Sequence, residues 1–153
     1  MNKSNLHKHA LQFSQKVDYG LFLLTILAKK SSEMVNSLRK IAESEKMSFF
    51  FLQKIARDLV KAGMISSERG KEGGYRLKKN PRDISLKQII EVLEGPVAVM
   101  SCLMKGKRLK MLCERREQCH IRSQLLEINT EIESMLKSVN LEYFLSGKNE
   151  ELP

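Results

Sequence analysis

Three cysteines and a neighbouring histidine are the residues of this chain that could bind a metal or react with an oxidant. Cys102, Cys113 and Cys119 are separated by ten and five residues, and His120 follows the last of them. Three thiolates with one further ligand can hold zinc or an iron–sulfur cluster. Zinc sites usually contain cysteine pairs two to four residues apart, which this chain lacks, and adjacent residues such as Cys119 and His120 rarely reach one ion. The spacing leaves open a metal or cluster site, a thiol redox switch, or three unrelated cysteines.

A glycine-rich, basic stretch lies upstream, at residues 67–77 (SERGKEGGYRL). Its glycines are Gly70, Gly73 and Gly74, and its cations are Arg69, Lys71 and Arg76. Because glycine accepts positive φ, this spacing predicts a tight hairpin between strands at 64–68 and 75–79. Such a hairpin is typical of the wing of a winged helix-turn-helix. An ordinary hairpin with a basic, solvated tip would have the same pattern.

Two short helices before the hairpin have the layout of a helix-turn-helix. We expect the first at 37–44, with Ser37 as its N-cap, and the second at 48–62, with Ser48 as its N-cap and Gly63 as its stop. A link of about four residues joins them, as in helix-turn-helix motifs. The second helix is therefore the predicted recognition helix, whose N-terminal part enters the major groove.

The outward side chains of this helix predict its contacts with DNA. Gln53 and Arg57 can form bidentate hydrogen bonds to base edges, whereas Lys54 and Lys61 are better suited to phosphates. The full predicted set, with the wing, is Ser48, Gln53, Lys54, Arg57, Lys61, Arg69, Lys71 and Arg76. Phe49 and Phe50 are unusual on a solvent face; we expect one of them to pack, and either could touch a thymine methyl group.

Apolar periodicity predicts the remaining helices. A first helix buries Phe13, Val17, Leu21, Leu24 and Leu27. A later helix at 86–93, capped by Asp83 or Ser85, is stopped by the Gly95-Pro96 pair. Further on, apolar residues alternate steps of four and three, as in a coiled-coil seam: Ile121, Leu125, Ile128, Ile132, Met135 and Val139. A second copy of the chain is the simplest partner for this seam, and the alternative is that the helix lies back on its own domain.

The predicted fold class is mainly α with a small β-hairpin wing. A winged helix-turn-helix DNA-binding domain occupies 1–97, with 1–12 as a partly ordered extension. A cysteine-containing loop follows at 98–120, then a long dimerisation helix at 121–145 and a tail at 146–153.

Composition favours a polyanionic partner. The 153 residues carry a formal net charge of +9, with a pI of about 9.6. Residues 1–95 contain 18 Lys and Arg against 10 Asp and Glu, so most of the basic excess lies with the predicted wing domain. The longest apolar run, 21–28, is too short to span a bilayer, and no apolar signal core is seen, so a cytoplasmic protein without a membrane partner is expected. No catalytic or nucleotide-loop arrangement stands out, and we do not expect an enzyme.

The chain resembles the bacterial regulators of the IscR/NsrR type, which include the iron–sulfur cluster regulator and the nitric-oxide-sensitive repressor. The similar segments are FSQKVDYGLFLLTILA from Phe13, MSFFFLQKIARDLVKAGMISSERGKEGGYRL from Met47, ISLKQIIEVLEGP from Ile84, and the three late cysteines. The resemblance covers about 13–145. It implies a homodimeric regulator, usually a repressor, that binds double-stranded DNA at a palindromic operator and holds a cluster near the dimer interface.

The same resemblance implies a ligand set. Cys102, Cys113 and Cys119 match the cluster thiolates, and Asp18 matches an acidic ligand that the partner subunit supplies in related nitric-oxide sensors. Where the cluster regulator has a histidine three residues past the last cysteine, this chain has Arg122, and the gap between Cys102 and Cys113 is longer than the family pattern. The implied cofactor is a 2Fe-2S or 4Fe-4S cluster.

The resulting hypothesis is a repressor that senses nitric oxide, redox state or iron through the cluster. Two alternatives stay open: a cluster-free regulator of the same fold that answers to a small molecule, a thiol switch or a partner protein, and an interaction module whose wing holds another protein.

Overall fold

The computed structural model describes residues 13–29, 35–70, 73–104 and 118–146. Within them the helices are α1 (Gln15–Lys29), α2 (Leu38–Ser44), α3 (Phe49–Lys61), α4 (Leu86–Glu94), α5 (Arg122–Ser138) and α6 (Leu141–Leu145). The strands are β1 (Ile65–Glu68) and β2 (Gly74–Leu77), and single 3-10 turns lie at Pro81–Asp83 and Ser101–Leu103. Lys71, Cys113, the extension at 1–12 and residues 147–153 of the predicted tail lie outside the described residues.

Serine caps begin three of the helices. The Ser37 and Ser48 hydroxyls accept from amides in the first turns of α2 and α3, which confirms both predicted caps. Ser85 and Gln88 form a capping box at α4, so Ser85 rather than Asp83 begins that helix. Beyond α3, Gly63 has φ +67°, the left-handed conformation that ends a helix. Local side-chain chemistry therefore sets the boundaries of the helix-turn-helix.

One apolar core joins the helices and β1. Its largest fully buried members are Val17, Leu23, Leu24, Leu27, Leu52, Ile55, Leu59, Ile65, Ile84, Ile89 and Leu141. The α1 face differs in part from the predicted one, because Leu23 is buried while Phe13 is exposed. Phe13 precedes the first turn of α1.

The hairpin is antiparallel, with Ile65 opposite Leu77 and Glu68 opposite Gly74. Gly70 has φ +120°, as a glycine-dependent hairpin requires. Gly74 meets a different need: a Cβ there would overlap the backbone carbonyl group of Asn36. Asn36 and Tyr75 exchange two backbone hydrogen bonds of 2.9 Å, so the residue before the Ser37 cap is joined to the wing.

The segment predicted as one helix at 121–145 is two helices. The chain turns at Val139, whose carbonyl accepts from the Leu86 amide at 2.8 Å, and the Leu141 amide donates to the Ile84 carbonyl at 2.8 Å. These bonds align α6 with the start of α4, and Leu141 is fully buried in the core of the winged domain. Pairing with the backbone at 84–86 replaces the helical bonds that a continuous helix would have made.

The predicted apolar seam on α5 divides between two environments. Ile132 and Val139 pack against the core of the same chain, and Leu136 beside them is buried. Ile121, Ile128 and Met135, spaced by seven residues, are exposed. The helix therefore lies on its own domain along one edge, as the alternative interpretation predicted, while a second apolar edge faces solvent.

Candidate nucleic-acid interface and cysteine segment

The recognition helix α3 has two distinct faces. Its inward face buries Leu52, Ile55, Ala56 and Leu59. Its outward face follows helical spacing through Phe50, Gln53, Lys54, Arg57 and Lys61. The four predicted contacts on this helix thus share one cation-rich face. The major groove of DNA is wide enough to admit an α-helix.

A concavity of about 410 Å³ separates this face from the wing. Gln53 lines it from α3, Arg69 from the hairpin, and Arg39 from α2. The Arg39 guanidinium lies over the Phe49 ring at 5.1 Å from its centroid, a cation–π contact that holds it in place. Arg39 is not among the DNA contacts predicted from the sequence. Its place at the interface depends on the angle between α2 and α3, which no local pattern encodes.

The two phenylalanines that begin α3 have different environments. Phe49 packs partly against the core, whereas the Phe50 side chain is 80% exposed. Their rings meet edge to face at 5.7 Å between centroids. The prediction that one of them packs is confirmed for Phe49.

One of the predicted wing contacts, Arg76, already has partners within the hairpin. Arg76 lies on β2 opposite Ser66, and its guanidinium pairs with Glu68 at 2.8 Å and with the Ser66 hydroxyl at 3.4 Å. An exposed ion pair of this kind exchanges readily for a phosphate contact, because it contributes about 0–1 kcal/mol. Arg69 is exposed at the end of the hairpin.

An ion pair joins the recognition helix to α1. Lys16 on α1 reaches Asp58 at 2.8 Å and also donates to the Leu93 carbonyl at the end of α4. The hydrogen bond from Lys16 holds the pKa of Asp58 below its usual value. One lysine thus ties α1, α3 and α4 together beside the outward face.

The described cysteines lie at the two ends of the segment between α4 and α5. Cys102 is in the 3-10 turn Ser101–Leu103 and Cys119 precedes α5; both are free, half-buried thiols. Cys113, the third predicted ligand, lies outside the described residues. Within the described ranges no three potential ligands come together at one point. Asp18, the predicted partner-supplied ligand, is exposed in the first turn of α1.

A polar network fixes the Cys102 side of this segment to the helices. The Val99 amide donates to Asn129 Oδ1 at 2.9 Å, and Asn129 is 7% exposed, within α5. Asn129 Nδ2 donates to Glu133 at 2.7 Å, and Glu133 pairs with Lys87 of α4 at 2.9 Å. The hydrogen bond to Glu133 raises the pKa of Lys87. Sequence reasoning missed this network, since a polar residue within an apolar helix repeat was its only signal.

The fold and this surface define the class of protein. A serine-capped helix-turn-helix, a two-stranded wing bonded to it, and a basic outward face on the second helix make a winged helix-turn-helix DNA-binding protein. The family model described as "Rrf2: Iron-dependent Transcriptional regulator" matches residues 13–147. The chain belongs to the Rrf2 family of transcriptional regulators.

Relatives with solved structures include two differently named regulators. The chain resembles CymR of Bacillus subtilis, the global cysteine regulator, with 32% identity and a TM-score of 0.69, covering 91% of this chain and 99% of that one. It resembles IscR of T. potens with 30% identity and a TM-score of 0.65, covering 94% and 93%. In sequence it is 26% identical over 140 residues to the regulator NsrR of Halalkalibacterium halodurans, covering 92% of this chain and 94% of the relative.

These findings confirm the predicted class. The chain is a DNA-binding transcription regulator and not an enzyme, as its family membership requires. Among the described residues, no helix combines the length and the hydropathy needed to cross a membrane.

Proposed function

We propose that this protein is a homodimeric repressor that binds a palindromic operator and is controlled through its cysteine segment. The observation that carries the proposal is the outward face of α3, which Gln53, Lys54, Arg57 and Lys61 share and whose Gln53 lines the basic concavity. In this arrangement Gln53 and Arg57 read base edges, while Lys54 and Lys61 bind phosphates. Ser48, Arg69, Lys71 and Arg76 complete the proposed contact set, and Arg39 joins it from α2.

The exposed edge of α5 supports the dimer. Ile121, Ile128 and Met135 repeat every seven residues, which is the spacing of one side of a coiled-coil seam. Burying this edge against the same edge of a second copy removes three large apolar side chains of each chain from water. The dimer then sets the distance between two α3 helices, which must be about 34 Å to reach successive major grooves.

The cysteine segment is the proposed sensor. The IscR/NsrR resemblance assigns an iron–sulfur cluster to Cys102, Cys113 and Cys119, with Asp18 of the partner subunit as fourth ligand. Thiolates and a carboxylate are donors that iron accepts, and Asp18 makes no ion pair within the described residues. When bound, such a cluster supplies iron that nitric oxide or an oxidant can attack.

The polar network gives this segment a route to the DNA-binding elements. Val99 lies three residues before Cys102 and is held by Asn129 of α5, which connects through Glu133 to Lys87 of α4. A change in the segment that breaks the hydrogen bond between Val99 and Asn129 shifts the position of α5 on α4. This shift changes the spacing of the two recognition helices in the dimer.

A second candidate is a cluster-free thiol switch in the same fold. The likeness to CymR, named as a cysteine regulator, favours it. Cys102 and Cys119 are free and half-buried, so a reversible oxidation of either thiol could move the segment without any metal.

DNA binding is tested by selecting duplexes from a random pool and measuring affinity by fluorescence anisotropy over a range of salt. Lys54→Ala should lower the slope of log K against log salt by about one and leave base preference unchanged. Arg57→Ala should relax preference at one position, by about 1–3 kcal/mol of discrimination. Lys137→Ala, which removes one exposed charge from α5, is the control. Equal losses for Lys54→Ala and Lys137→Ala, or no enriched duplex, would refute the proposed interface.

The dimer is tested by light scattering coupled to size exclusion. The native chain should elute at twice the mass of one protomer, and Ile128→Glu should shift it to the monomer with little loss of helix content. Leu126→Glu, an exposed leucine on α5 outside the seven-residue repeat, is the matched control. A monomeric native protein that still binds its selected duplex would contradict the dimer.

The sensor is tested by anaerobic purification with iron and acid-labile sulfide analysis. A cluster predicts visible absorbance that is lost in the serine variants of the three cysteines and weakened in Asp18→Ala, with Ser101→Ala as the neighbouring control. An iron-free protein whose DNA affinity falls on oxidation and returns on reduction supports the thiol switch. An iron-free protein that is insensitive to thiol oxidation removes both sensors.

A further inference from the structure

We propose that Phe50 is a specificity-determining residue that contacts the C5-methyl group of a thymine in each operator half-site. This inference rests on the proposed DNA interface, and it adds to the hydrogen-bonding readers a residue that recognises DNA through an apolar contact.

The position of Phe50 favours a nucleic-acid contact over a structural role. It lies in the first turn of α3, three and four residues before Gln53 and Lys54, so all three point in one direction. Its side chain is 80% exposed, more than any other large apolar side chain in the described part of the chain. Because it faces solvent, Phe50 adds little to the stability of the core.

The Phe50 ring also has an aromatic neighbour. The Phe49 ring meets it edge to face at 5.7 Å between centroids. The Arg39 guanidinium lies over the Phe49 ring at 5.1 Å from its centroid. Phe50 forms one wall of a shallow notch of about 260 Å³ whose other apolar walls are Ala42, Met47 and Phe49. The phenylalanine is therefore an apolar projection beside a mainly apolar recess.

The major groove offers one apolar group, the thymine methyl. A ring or recess that removes this methyl from water gains about fourfold in affinity, from the transfer free energy of one buried methylene-sized group. Cytosine lacks the methyl, and so does deoxyuridine, which otherwise pairs and hydrogen-bonds like thymine. Phe50 should consequently distinguish thymine from deoxyuridine.

The test is a double-mutant cycle between protein and DNA. A duplex selected by the native protein is resynthesised with single thymines replaced by deoxyuridine, and binding is measured by anisotropy for the native protein and for Phe50→Ala. At one thymine in each half-site, removing the methyl should weaken native binding about threefold to fivefold. The same replacement should have no effect on Phe50→Ala. Phe50→Leu, which keeps an apolar side chain, should retain part of the methyl dependence.

Lys54→Ala is the matched control, since Lys54 lies one turn further along the same face. It should weaken binding to the thymine and deoxyuridine duplexes by the same factor. If every deoxyuridine replacement affects the native protein and Phe50→Ala equally, or if no thymine is enriched in the selected half-site, the inference is overturned while the DNA interface stands. Failure to select any duplex would instead refute the proposed function itself.

Discussion

Gly74 joins the wing to the helix-turn-helix, and replacing it with alanine should separate them. A Cβ on Gly74 would lie 2.6 Å from the Asn36 carbonyl carbon and 3.0 Å from the Ser37 amide nitrogen. Both are backbone atoms, which cannot rotate away as a side chain could. To admit the methyl group, β2 must move away from Asn36, and this movement breaks the two 2.9 Å hydrogen bonds between Asn36 and Tyr75.

The cost follows from these contacts. Two backbone hydrogen bonds contribute roughly 0.5–1.5 kcal/mol each, and inserting a methyl group into a packed site costs about 1–3 kcal/mol. Gly74→Ala should therefore lower the free energy of unfolding by about 2 to 6 kcal/mol. For a chain of this size the melting temperature should fall by roughly 5 °C or more. DNA affinity should fall as well, because the concavity between α3 and the wing loses its shape.

Urea unfolding, thermal unfolding and DNA anisotropy together check this prediction. Gly63→Ala is the control: Gly63 has φ +67° and nothing within 4 Å of an added Cβ. It should cost only about 1–2 kcal/mol, from left-handed backbone strain, and leave DNA binding intact at temperatures where the protein is folded. If Gly74→Ala is as stable as the native protein, or loses no DNA affinity, the backbone contact with Asn36 does not hold the wing.

Substitutions at Asp58, Asn129 and Leu141 give three further predictions. Because the hydrogen bond from Lys16 lowers the pKa of Asp58, the ion pair stabilises the fold above about pH 4. That stability is lost as the pH falls through the lowered pKa; Asp58→Asn should remove about 1 kcal/mol of acid-dependent stability in urea unfolding from pH 7 down to pH 2.5. Asn129→Ala leaves the Val99 amide without its acceptor, so unfolding should become easier by about 1–3 kcal/mol and amide exchange at Val99 should accelerate. Leu141→Ala creates a cavity in the winged domain and should cost about 2–5 kcal/mol in thermal or urea unfolding.

Each of these outcomes has a control on the same chain. Asp83→Asn changes an exposed carboxylate and should leave the acid dependence unaltered. Leu126→Ala, at an exposed leucine of α5, should cost well under 1 kcal/mol, as surface substitutions do. A small loss at Leu141 would mean that α6 is not part of the core. Unchanged exchange at Val99 in Asn129→Ala would break the proposed route from the cysteine segment to α5.

Local patterns identified most of the helix-turn-helix, because its boundaries depend on neighbouring residues. Ser37, Ser48 and Gly63 act within one turn of where they stand, so their roles could be predicted without the rest of the chain. The outward face of α3 follows for the same reason, since helical periodicity alone separates Gln53 and Arg57 from the buried side.

Contacts between distant segments could not be predicted in this way. The break between α5 and α6 depends on backbone pairing with residues 84–86, and Asn129 bonds to Val99 thirty residues away. The apolar repeat on α5 predicted a single seam, and packing against α4 divided it into a buried edge and an exposed edge.

The glycine-rich stretch at 67–77 depends both on local sequence patterns and on contacts with distant segments. Its composition was enough to determine a hairpin and, with the capped helix before it, a wing, because glycine spacing and strand alternation are local properties. Only the tertiary structure decided why Gly74 must be glycine, since the atom that leaves no room for a side chain belongs to Asn36 in another segment. It likewise decided that Phe49 packs while Phe50 stays exposed: adjacent residues on a helix point about 100° apart, and the position of α2 determines which of the two is covered.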